Sequence, residues 1–541
     1  MGFTYHSRRL WKNAAQRSVA MGANGMASSS QPLATMAGYK ILLKGGNAVD
    51  AAVAMVSTLN VVEPHSVGLG GDAFALIYLS KEKRLIGMNA SGRSPYRASI
   101  KWFNEKGIKE IPHRGILSVT VPGALHGWAS AVNNYGTLSL AEIFEDAIHY
   151  AEHGFPVTEV IAGEWKEVET LLLSHESSAR TFLIHGKAPR PGQIFTNPDL
   201  ARTYKKIVRD GIEILYEGEL CEAIVNYSDC NNGLLSRQDF KDHVTTWVEP
   251  ISTDYRGYTI YELPPNGQGL AALEMLNILE GYDIGKLKSN SLEYLHLLCE
   301  AKKLAFSDRD YFITDPDFEK IPVDKLLSKE YANKLRESVY LKKAMPPPSL
   351  FPSTENGDTV YVTAVDKDRN AVSFISSIFL AFGSGMVVDG TGIVLQNRGK
   401  SFSLDPKQFN RLEPHKRPMH TIIPGIVFKD GKFLMSFGVM GGDMQPQGQV
   451  QFLVNLIDFK MNLQEAIDVP RVRHLQGMEV YLEDGIPDEV ASALQEKGHR
   501  VIQGNPTVNQ VGGGQAIYLD HTQNVLLGAS DRRKDGCALG Y

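Results

Sequence analysis

The chain has 541 residues, which at roughly 150 residues per domain is enough for three to four structural units. Its 56 Lys and Arg against 61 Asp and Glu give a formal net charge of -5, so composition offers no concentrated basic surface for nonspecific nucleic-acid binding. Hydrophobic residues make up 43% of the chain, as in a globular protein with a large core, and the four cysteines include no Cys-x-x-Cys pair, which excludes a zinc-ribbon or disulfide framework.

Two helices followed by two strands are predicted in the first hundred residues. Apolar residues recur at three- and four-residue steps from Ser29 to Met55, and Lys44 to Asn47 interrupts this pattern with a helix stop and a new helix start. The runs Phe74 to Leu79 and Arg84 to Met88 flank a charged turn and are typical of a strand pair. Helical periods return in three later segments, Leu138 to His153, Leu270 to Leu279 and Leu292 to Arg309.

A change in composition separates the first two thirds of the chain from the rest. Four prolines lie between Ala344 and Asp358 and exclude a helix or a central strand there. Two β-rich runs follow at once, starting at Thr359 and joined by a polar turn from Asp366 to Asn370, which predicts a hairpin. On these features alone the junction is a domain linker that leads into a strand.

A threonine at the start of such a strand also has a chemical use. If the Asp358–Thr359 bond were cut, Thr359 would carry a hydroxyl nucleophile and a free α-amine on one residue. The amine has an unperturbed pKa of about 7.7 to 8.0 and is therefore a suitable base for activating the hydroxyl. The same hydroxyl can attack the preceding carbonyl, so the uncut chain has the groups needed to cleave itself.

The residues around this junction resemble the γ-glutamyltranspeptidase family, whose members are N-terminal-nucleophile hydrolases with a processed threonine. The resemblance covers nearly the whole chain. It rests on the order and spacing of Gly45–Ala52, Glu63–Gly71, Val121–Gly123, Gly357–Thr359, Val365–Ser373, Met440–Asp443 and Pro470–Val472. It implies an α+β fold, specifically a four-layer αββα sandwich built from the large and small subunits of one cleaved precursor. The subunits would be residues 1–358, ending in the exposed proline-rich linker, and residues 359–541, beginning at the nucleophile.

Several catalytic roles follow from the resemblance, position by position. Thr359 matches the nucleophile, with cleavage between Asp358 and Thr359, and Ser377 keeps the supporting hydroxyl eighteen residues on. Gly441 and Gly442 match the glycines whose amides form the oxyanion hole; without the family context this pair indicates a turn.

Arg93 matches the arginine that binds the substrate's α-carboxylate, a task suited to the two parallel N–H groups of a guanidinium. Taken alone, Arg93 would be an ordinary surface arginine.

The amine-binding residues of the family are replaced in this chain. Ungapped counting from Thr359 puts Phe379, Arg398 and Ser401 where the family has an Asn, a Glu or Gln, and an Asp, and the adjacent serine pair becomes His420–Thr421. Phenylalanine offers an ammonium no acceptor and arginine repels it. Arg93 and Arg398, with no evident carboxylate between them, therefore favour an anionic acyl group without an α-amine. The alternative for Arg398 is a buried partner of a carboxylate such as Asp389 or Asp405.

We interpret the chain as an autoprocessed threonine amidase that cleaves γ-glutamyl-type amides through an acyl-enzyme. One alternative is an amidohydrolase of small carboxylated amides, such as oxamate or glutaryl and cephalosporin amides. Another is a degenerate member that binds small acids without turnover. Metal-binding motifs such as His-Glu-x-x-His are absent from the sequence, and the resemblance implies neither a metal nor an organic cofactor.

The expected partners are a small-molecule amide and the two subunits of the same precursor, with further homo-oligomerisation open. The sequence suggests neither nucleic acid nor membrane as a partner. The first thirty residues lack the apolar core of a signal peptide, so we expect a cytoplasmic protein.

Overall fold

The computed structural model describes residues 17–346, 357–504 and 508–541. Most of the predicted proline-rich linker, residues 347–356, lies outside the described residues. None of the helices in the described ranges combines the length and the apolar character needed to cross a bilayer.

The strands and helices of the described ranges alternate along the chain. The strands are Ala20–Gly22 (β1), Met26–Ser29 (β2), Asp72–Leu79 (β3), Arg84–Ala90 (β4), Phe155–Pro156 (β5), Ile194–Phe195 (β6), Thr246–Val248 (β7), Ile251–Tyr255 (β8), Tyr258–Glu262 (β9), Asp358–Val365 (β10), Ala371–Phe379 (β11), Val387–Val388 (β12), Ile393–Val394 (β13), Gly425–Lys429 (β14), Lys432–Val439 (β15), Val472–His474 (β16), Glu479–Glu483 (β17), Arg500–Gly504 (β18), Gly514–Asp520 (β19), Val525–Ser530 (β20) and Cys537–Gly540 (β21). The α-helices are Pro32–Leu43 (α1), Ala48–Val62 (α2), Ile100–Glu105 (α3), Ala124–Tyr135 (α4), Leu140–Ile143 (α5), Glu145–His153 (α6), Glu159–Glu167 (α7), Glu169–Leu173 (α8), Glu176–Phe182 (α9), Pro198–Asp210 (α10), Glu213–Tyr216 (α11), Glu219–Cys230 (α12), Arg237–Lys241 (α13), Gly269–Glu280 (α14), Leu292–Phe312 (α15), Val323–Leu326 (α16), Lys329–Arg336 (α17), Met444–Ile457 (α18), Leu463–Asp468 (α19), Asp488–Glu496 (α20) and Val508–Val511 (α21).

The predicted local elements are largely confirmed. The helical run that starts near Ser29 is split into α1 and α2, and α2 begins with a capping box in which the side chains of Asn47 and Asp50 satisfy each other's backbone N–H groups. Strands β3 and β4 form the predicted pair, with Leu79 opposite Arg84. The run from Leu138 to His153 is two short helices, α5 and α6, rather than one.

Two seven-stranded antiparallel sheets carry the fold. The first sheet has the order β1-β20-β19-β15-β14-β9-β8, and the second has the order β21-β2-β10-β11-β3-β4-β7. The strand that begins at Asp358 therefore lies at the centre of the second sheet, between β2 and β11. The fold is mixed α+β, as predicted.

Apolar side chains of the two sheets pack together in one cluster. Tyr361 of β10, Phe74 of β3 and Ile517 of β19 belong to it. A second cluster packs the second sheet with α1 and α2, and a third packs the first sheet with α14, α15 and α18.

Because side chains alternate along a strand, Thr359 projects from the same face of β10 as Tyr361, whose hydroxyl lies 3.4 Å from Ser436 Oγ on β15. The candidate nucleophile therefore lies on the face of the second sheet that meets the first.

Candidate active site

A short chain of hydrogen bonds joins the candidate nucleophile to the bond it would attack. Thr359 Oγ1 donates to Ser377 Oγ at 3.3 Å, and Ser377 Oγ donates to the carbonyl oxygen of Asp358 at 2.6 Å. The backbone N–H of Phe379 donates to Ser377 Oγ at 2.8 Å and fixes the serine in this orientation. The register between β10 and β11 shifts between Asp358 and Val360, a bulge of the kind often found beside reacting groups. The Ser377 hydroxyl is thus placed to polarise the Asp358 carbonyl.

The glycine pair lies next to Gly357, the residue before Asp358. Gly441 and Gly442 have φ values of 113° and 58°, which other residues rarely adopt, and they immediately precede α18. A Cβ added to Gly357 would approach the Gly442 Cα to 3.0 Å, so the glycine loop touches the residue before Asp358. Neither glycine N–H hydrogen-bonds to any residue in the described ranges. Their amides remain available for an oxyanion near the N-terminus of a helix, where the dipole favours negative charge.

Gln268 and Arg309 hold the glycine loop in place. Gln268 Nε2 donates to the carbonyl oxygens of Gly442, at 3.0 Å, and Thr421, at 2.7 Å. Arg309 Nη1 donates to Gln268 Oε1 at 2.8 Å and to Asp443 Oδ1 at 2.7 Å. Sequence reasoning missed both residues, because an isolated Gln before a helix and an Arg near the end of α15 carry no motif.

Arg398 is completely buried beside the predicted cleavage site. Its guanidinium lies 4.1 Å from the centre of the Phe379 ring, and Nη1 donates to Thr421 Oγ1 at 2.8 Å. Neither Nε nor Nη2 has a hydrogen-bond partner in the described part of the chain, and Nε lies 4.0 Å from Asp72 Oδ2. Burial lowers the pKa of Arg398 to about 9. An arginine with two unused, buried donors is suited to an incoming carboxylate.

Neither of the two carboxylates named as examples of a partner for Arg398 contacts it. Asp389 pairs with Arg180 on the surface, at 2.5 Å, and the buried carboxylate that faces Arg398 is Asp72. Asp405 instead lies in an exposed turn, where its carboxylate accepts a hydrogen bond from the backbone N–H of Lys407 at 2.9 Å.

His420 and Asp72 form a buried pair beneath Arg398. His420 Nε2 lies 2.9 Å from Asp72 Oδ2, and its ring packs against Phe74 with centroids 4.8 Å apart. Burial, followed by the nearby Arg398 charge, lowers the pKa of His420 to about 4. The imidazole is therefore neutral at physiological pH and donates to Asp72.

Arg93 is not free, contrary to the expectation that no carboxylate faces the two arginines. Its Nη1 donates to Asp315 Oδ2 at 2.8 Å and its Nη2 to Asp317 Oδ2 at 2.9 Å. The chain folds the segment after α15 onto the Arg93 loop, and the two aspartates occupy the guanidinium edge that a substrate carboxylate would use. Ser401, the third replaced position, lines the cavity described next.

A cavity of about 670 Å³ opens next to Phe379 and is large enough for a small organic substrate. Its wall combines apolar and charged side chains. These include Ile111, His113, Arg309, Phe379, Lys400, Ser401, Phe402 and Met419. The cavity reaches the predicted reaction centre through Phe379, which lies opposite Asp358 in the sheet.

Two buried groups of His and Glu residues have the spacing of metal ligands. They are Glu63, His65 and Glu164, and His296, Glu300 and His499. In each group a lysine ammonium already supplies the positive charge: Lys534 contacts Glu164 at 3.0 Å, and Lys303 contacts Glu300 at 2.7 Å.

Comparison with known proteins defines the class to which this fold and site belong. The γ-glutamyltranspeptidase family model matches residues 34–541, so the chain belongs to that family, and it is an enzyme of the hydrolase and acyltransferase type acting on amide bonds. Among curated proteins it is 41% identical to the glutathione hydrolase-like YwrD proenzyme of Bacillus subtilis, over 96% of this chain and 99% of that protein. It is 35% identical to the oxamate amidohydrolase proenzyme of Klebsiella pneumoniae, with the same two coverages. The crystal structure of cephalosporin acylase from Bacillus halodurans superposes with a TM-score of 0.92 at 41% identity, covering 99% of each chain. The predicted family, including its acylase-like branch, is confirmed.

Proposed function

We propose that the protein is a self-cleaving threonine amidase that hydrolyses amides of small carboxylic acids lacking an α-amine. The observation that carries this proposal is the buried Arg398 guanidinium, which has two unused donors and lies against the Phe379 ring beside the cleavage site.

Self-cleavage would begin in the uncut chain. Thr359 Oγ1 attacks the Asp358 carbonyl carbon, and the Ser377 hydroxyl that already donates to the carbonyl oxygen stabilises the developing charge. Hydrolysis of the resulting ester frees the threonine. The products are a large subunit of 358 residues and a small subunit of 183 residues, since 541 − 358 = 183.

Turnover would use the groups that cleavage releases. The free α-amine of Thr359 accepts the proton of its own hydroxyl, and the hydroxyl attacks the substrate amide. The Gly441 and Gly442 amides hold the oxyanion, the substrate amine leaves, and water or a second amine takes the acyl group from Thr359. This chemistry requires no metal and no organic cofactor.

Acyl selectivity follows from the charges around Arg398. A carboxylate on the acyl chain gains charged hydrogen bonds from Nε and Nη2, whereas an ammonium at that place is repelled by the Arg398 cation. His420 adds no anion, because it is neutral and committed to Asp72. The name of one relative, oxamate amidohydrolase, supports an acyl group of this kind, and the similarity to a cephalosporin acylase supports an amidase that acts on small molecules.

γ-Glutamyl amides are the second candidate. Asp72 lies 4.0 Å from Arg398 and is a buried carboxylate that can offer an α-ammonium a counter-charge. The glutathione hydrolase-like relative supports this reading.

Subunit architecture and location are part of the proposal. The packing of each sheet against helices, and of the sheets against each other, supports a four-layer αββα arrangement shared between the two subunits. Further homo-oligomerisation and a cytoplasmic location stay predictions; size-exclusion chromatography and cell fractionation test them.

The test compares two p-nitroanilides that differ only in the α-amine, glutaryl and γ-glutamyl. We expect the protein to prefer the glutaryl substrate. Arg398→Gln removes a charged hydrogen-bond donor worth about 1.5–3 kcal/mol, which is about 10- to 100-fold in kcat/KM for glutaryl turnover.

Arg180→Gln is the matched control, because it removes an exposed arginine that pairs with Asp389 far from this site. An Arg398→Gln enzyme with an unchanged glutaryl to γ-glutamyl ratio would contradict the proposed selectivity.

A further inference from the structure

Four charged side chains form a buried cluster near the bond to be cut. Lys534 Nζ lies 3.2 Å from Glu63 Oε1 and 3.0 Å from Glu164 Oε1, and His65 Nε2 lies 2.7 Å from Glu164 Oε2. His65 Nδ1 is buried without a hydrogen-bond partner among the described residues. We call these four residues the Lys534 cluster. Three of them precede Thr359 in the chain and one follows it, so the cluster would join both subunits.

Backbone hydrogen bonds lock this cluster against the strand that faces Asp358. The His65 carbonyl accepts the Phe382 N–H at 2.8 Å, and the Ser66 carbonyl accepts the Ile378 N–H at 3.2 Å. These two contacts flank Phe379, the residue opposite Asp358 in the sheet.

The Asp358 side chain is buried, and the charges of this cluster act on it. The residue is 4% exposed, and burial is the main cause that raises its pKa, to about 7. Among the charges that face Asp358, those of Glu63 and Glu164 raise its pKa further, whereas those of His65 and Lys534 lower it. A large fraction of Asp358 is therefore a neutral acid near pH 7, directly beside the peptide bond to Thr359.

Self-cleavage needs a proton on the departing nitrogen of Thr359, because an amide nitrogen leaves only as an amine. Ser377 is already engaged on the other side of the bond, between the Thr359 hydroxyl and the Asp358 carbonyl oxygen. The Asp358 carboxyl carbon is three bonds from its own carbonyl carbon, which carries the Thr359 nitrogen, so the acid and this nitrogen are neighbours in the covalent structure.

We propose that Asp358 is a further catalytic residue of self-cleavage, whose buried carboxylic acid donates a proton to the departing Thr359 nitrogen, and that the Lys534 cluster positions this acid. The inference rests on the self-cleavage in the proposed function and extends it.

The Thr359 Oγ–C bond forms while the Thr359 proton passes to Ser377 and the Ser377 proton passes to the Asp358 carbonyl oxygen. The Asp358 acid then protonates the nitrogen, the C–N bond breaks and its electron pair stays on nitrogen. The proton on the former carbonyl oxygen returns to the Asp358 carboxylate. Overall, one proton moves from the Thr359 hydroxyl to the Thr359 nitrogen.

The full chain is made by cell-free translation and is then transferred into buffers that range from weakly acidic to weakly alkaline pH. The experiment measures self-cleavage in each buffer. The cleaved fraction is measured against time on a denaturing gel. For the wild type we expect the rate to fall as pH rises through about 7, where Asp358 loses its proton. Asp358→Asn should slow cleavage by about 10²-fold or more and abolish this fall, because it removes the acid. Asp358→Glu should keep the fall, because it retains a carboxylic acid.

Two cluster variants test the positioning role, with shifts in opposite directions. Glu63→Gln removes a group that raises the pKa of Asp358 and should move the falling limb to lower pH, whereas His65→Gln removes a group that lowers that pKa and should move the limb to higher pH. His126→Gln, a half-buried histidine elsewhere in the large subunit, is the control and should leave the limb in place.

Three outcomes would overturn the inference while self-cleavage itself persists. In the first, Asp358→Asn cleaves at the wild-type rate. In the second, the wild-type cleavage rate rises through neutral pH, as expected for a general base. In the third, the falling limb of the pH–rate profile stays at the same pH in both cluster variants. A wild-type chain that never cleaves would instead contradict the proposed function.

Discussion

Removal of the Ser377 hydroxyl is the sharpest single perturbation of the reaction centre. Ser377→Ala deletes the donor that lies 2.6 Å from the Asp358 carbonyl oxygen and the acceptor of the Thr359 hydroxyl. Loss of one preorganised oxyanion donor typically costs about 10²–10³-fold in rate. We therefore expect self-cleavage of Ser377→Ala to be slower by at least this factor.

The assay is the time course of precursor conversion on a denaturing gel, with thermal unfolding measured alongside. Ser377→Ala also leaves the buried Phe379 N–H without its acceptor, which costs about 1–3 kcal/mol of stability. Ser376→Ala is the matched control, because that neighbouring buried hydroxyl bonds the Asp72 carbonyl instead, at 2.7 Å. Ser377→Thr keeps the hydroxyl and should keep cleavage. Wild-type conversion in a folded Ser377→Ala protein would refute the assigned role.

Two further predictions concern the glycine loop and the buried charges around Asp531. Gly441→Ala puts a side chain at φ 113°, with its Cβ 3.1 Å from the Gly512 Cα, so we expect the loop to shift and kcat to fall by about 10²-fold. Gly431→Ala, at φ 71° with open space around it, is the control, and equal kcat values for the two variants would contradict an oxyanion role. Asp531→Asn should cost about 3–5 kcal/mol in the free energy of unfolding, because Asp531 accepts from Arg471 at 2.6 Å and from Arg533 at 2.9 Å in a buried network. These arginines lower the pKa of Asp531 to about 2. The contribution of Asp531 to the free energy of unfolding is therefore present above its unfolded pKa of about 4 and is lost as pH falls toward 2. An Asp531→Asn protein with the same acid-unfolding curve as the wild type would count against this.

Local features of the site were accessible from sequence. The predicted site residues lie in or just after three strands: Thr359 in β10, Ser377 in β11 and the glycine pair after β15. Strand alternation and hairpin pairing bring Thr359 and Ser377 together, because β10 and β11 are neighbours in sequence and in the sheet.

Contacts between distant segments of the chain could not be predicted from the sequence. Asp315 and Asp317 meet Arg93 across more than two hundred residues, and Lys534 meets Glu164 across 370 residues. No periodicity or spacing encodes these pairs, because they depend on how the segments after α15 and β20 fold back over the second sheet. The free state expected for Arg93 was wrong for this reason.

The central claim is tested most directly by an intact-mass spectrum of the purified protein beside Thr359→Ala. Self-cleavage predicts two fragments, of 358 and 183 residues, in the wild type and one chain in the variant. A wild-type protein that stays a single full-length chain would leave Thr359 without a free amine and contradict the account.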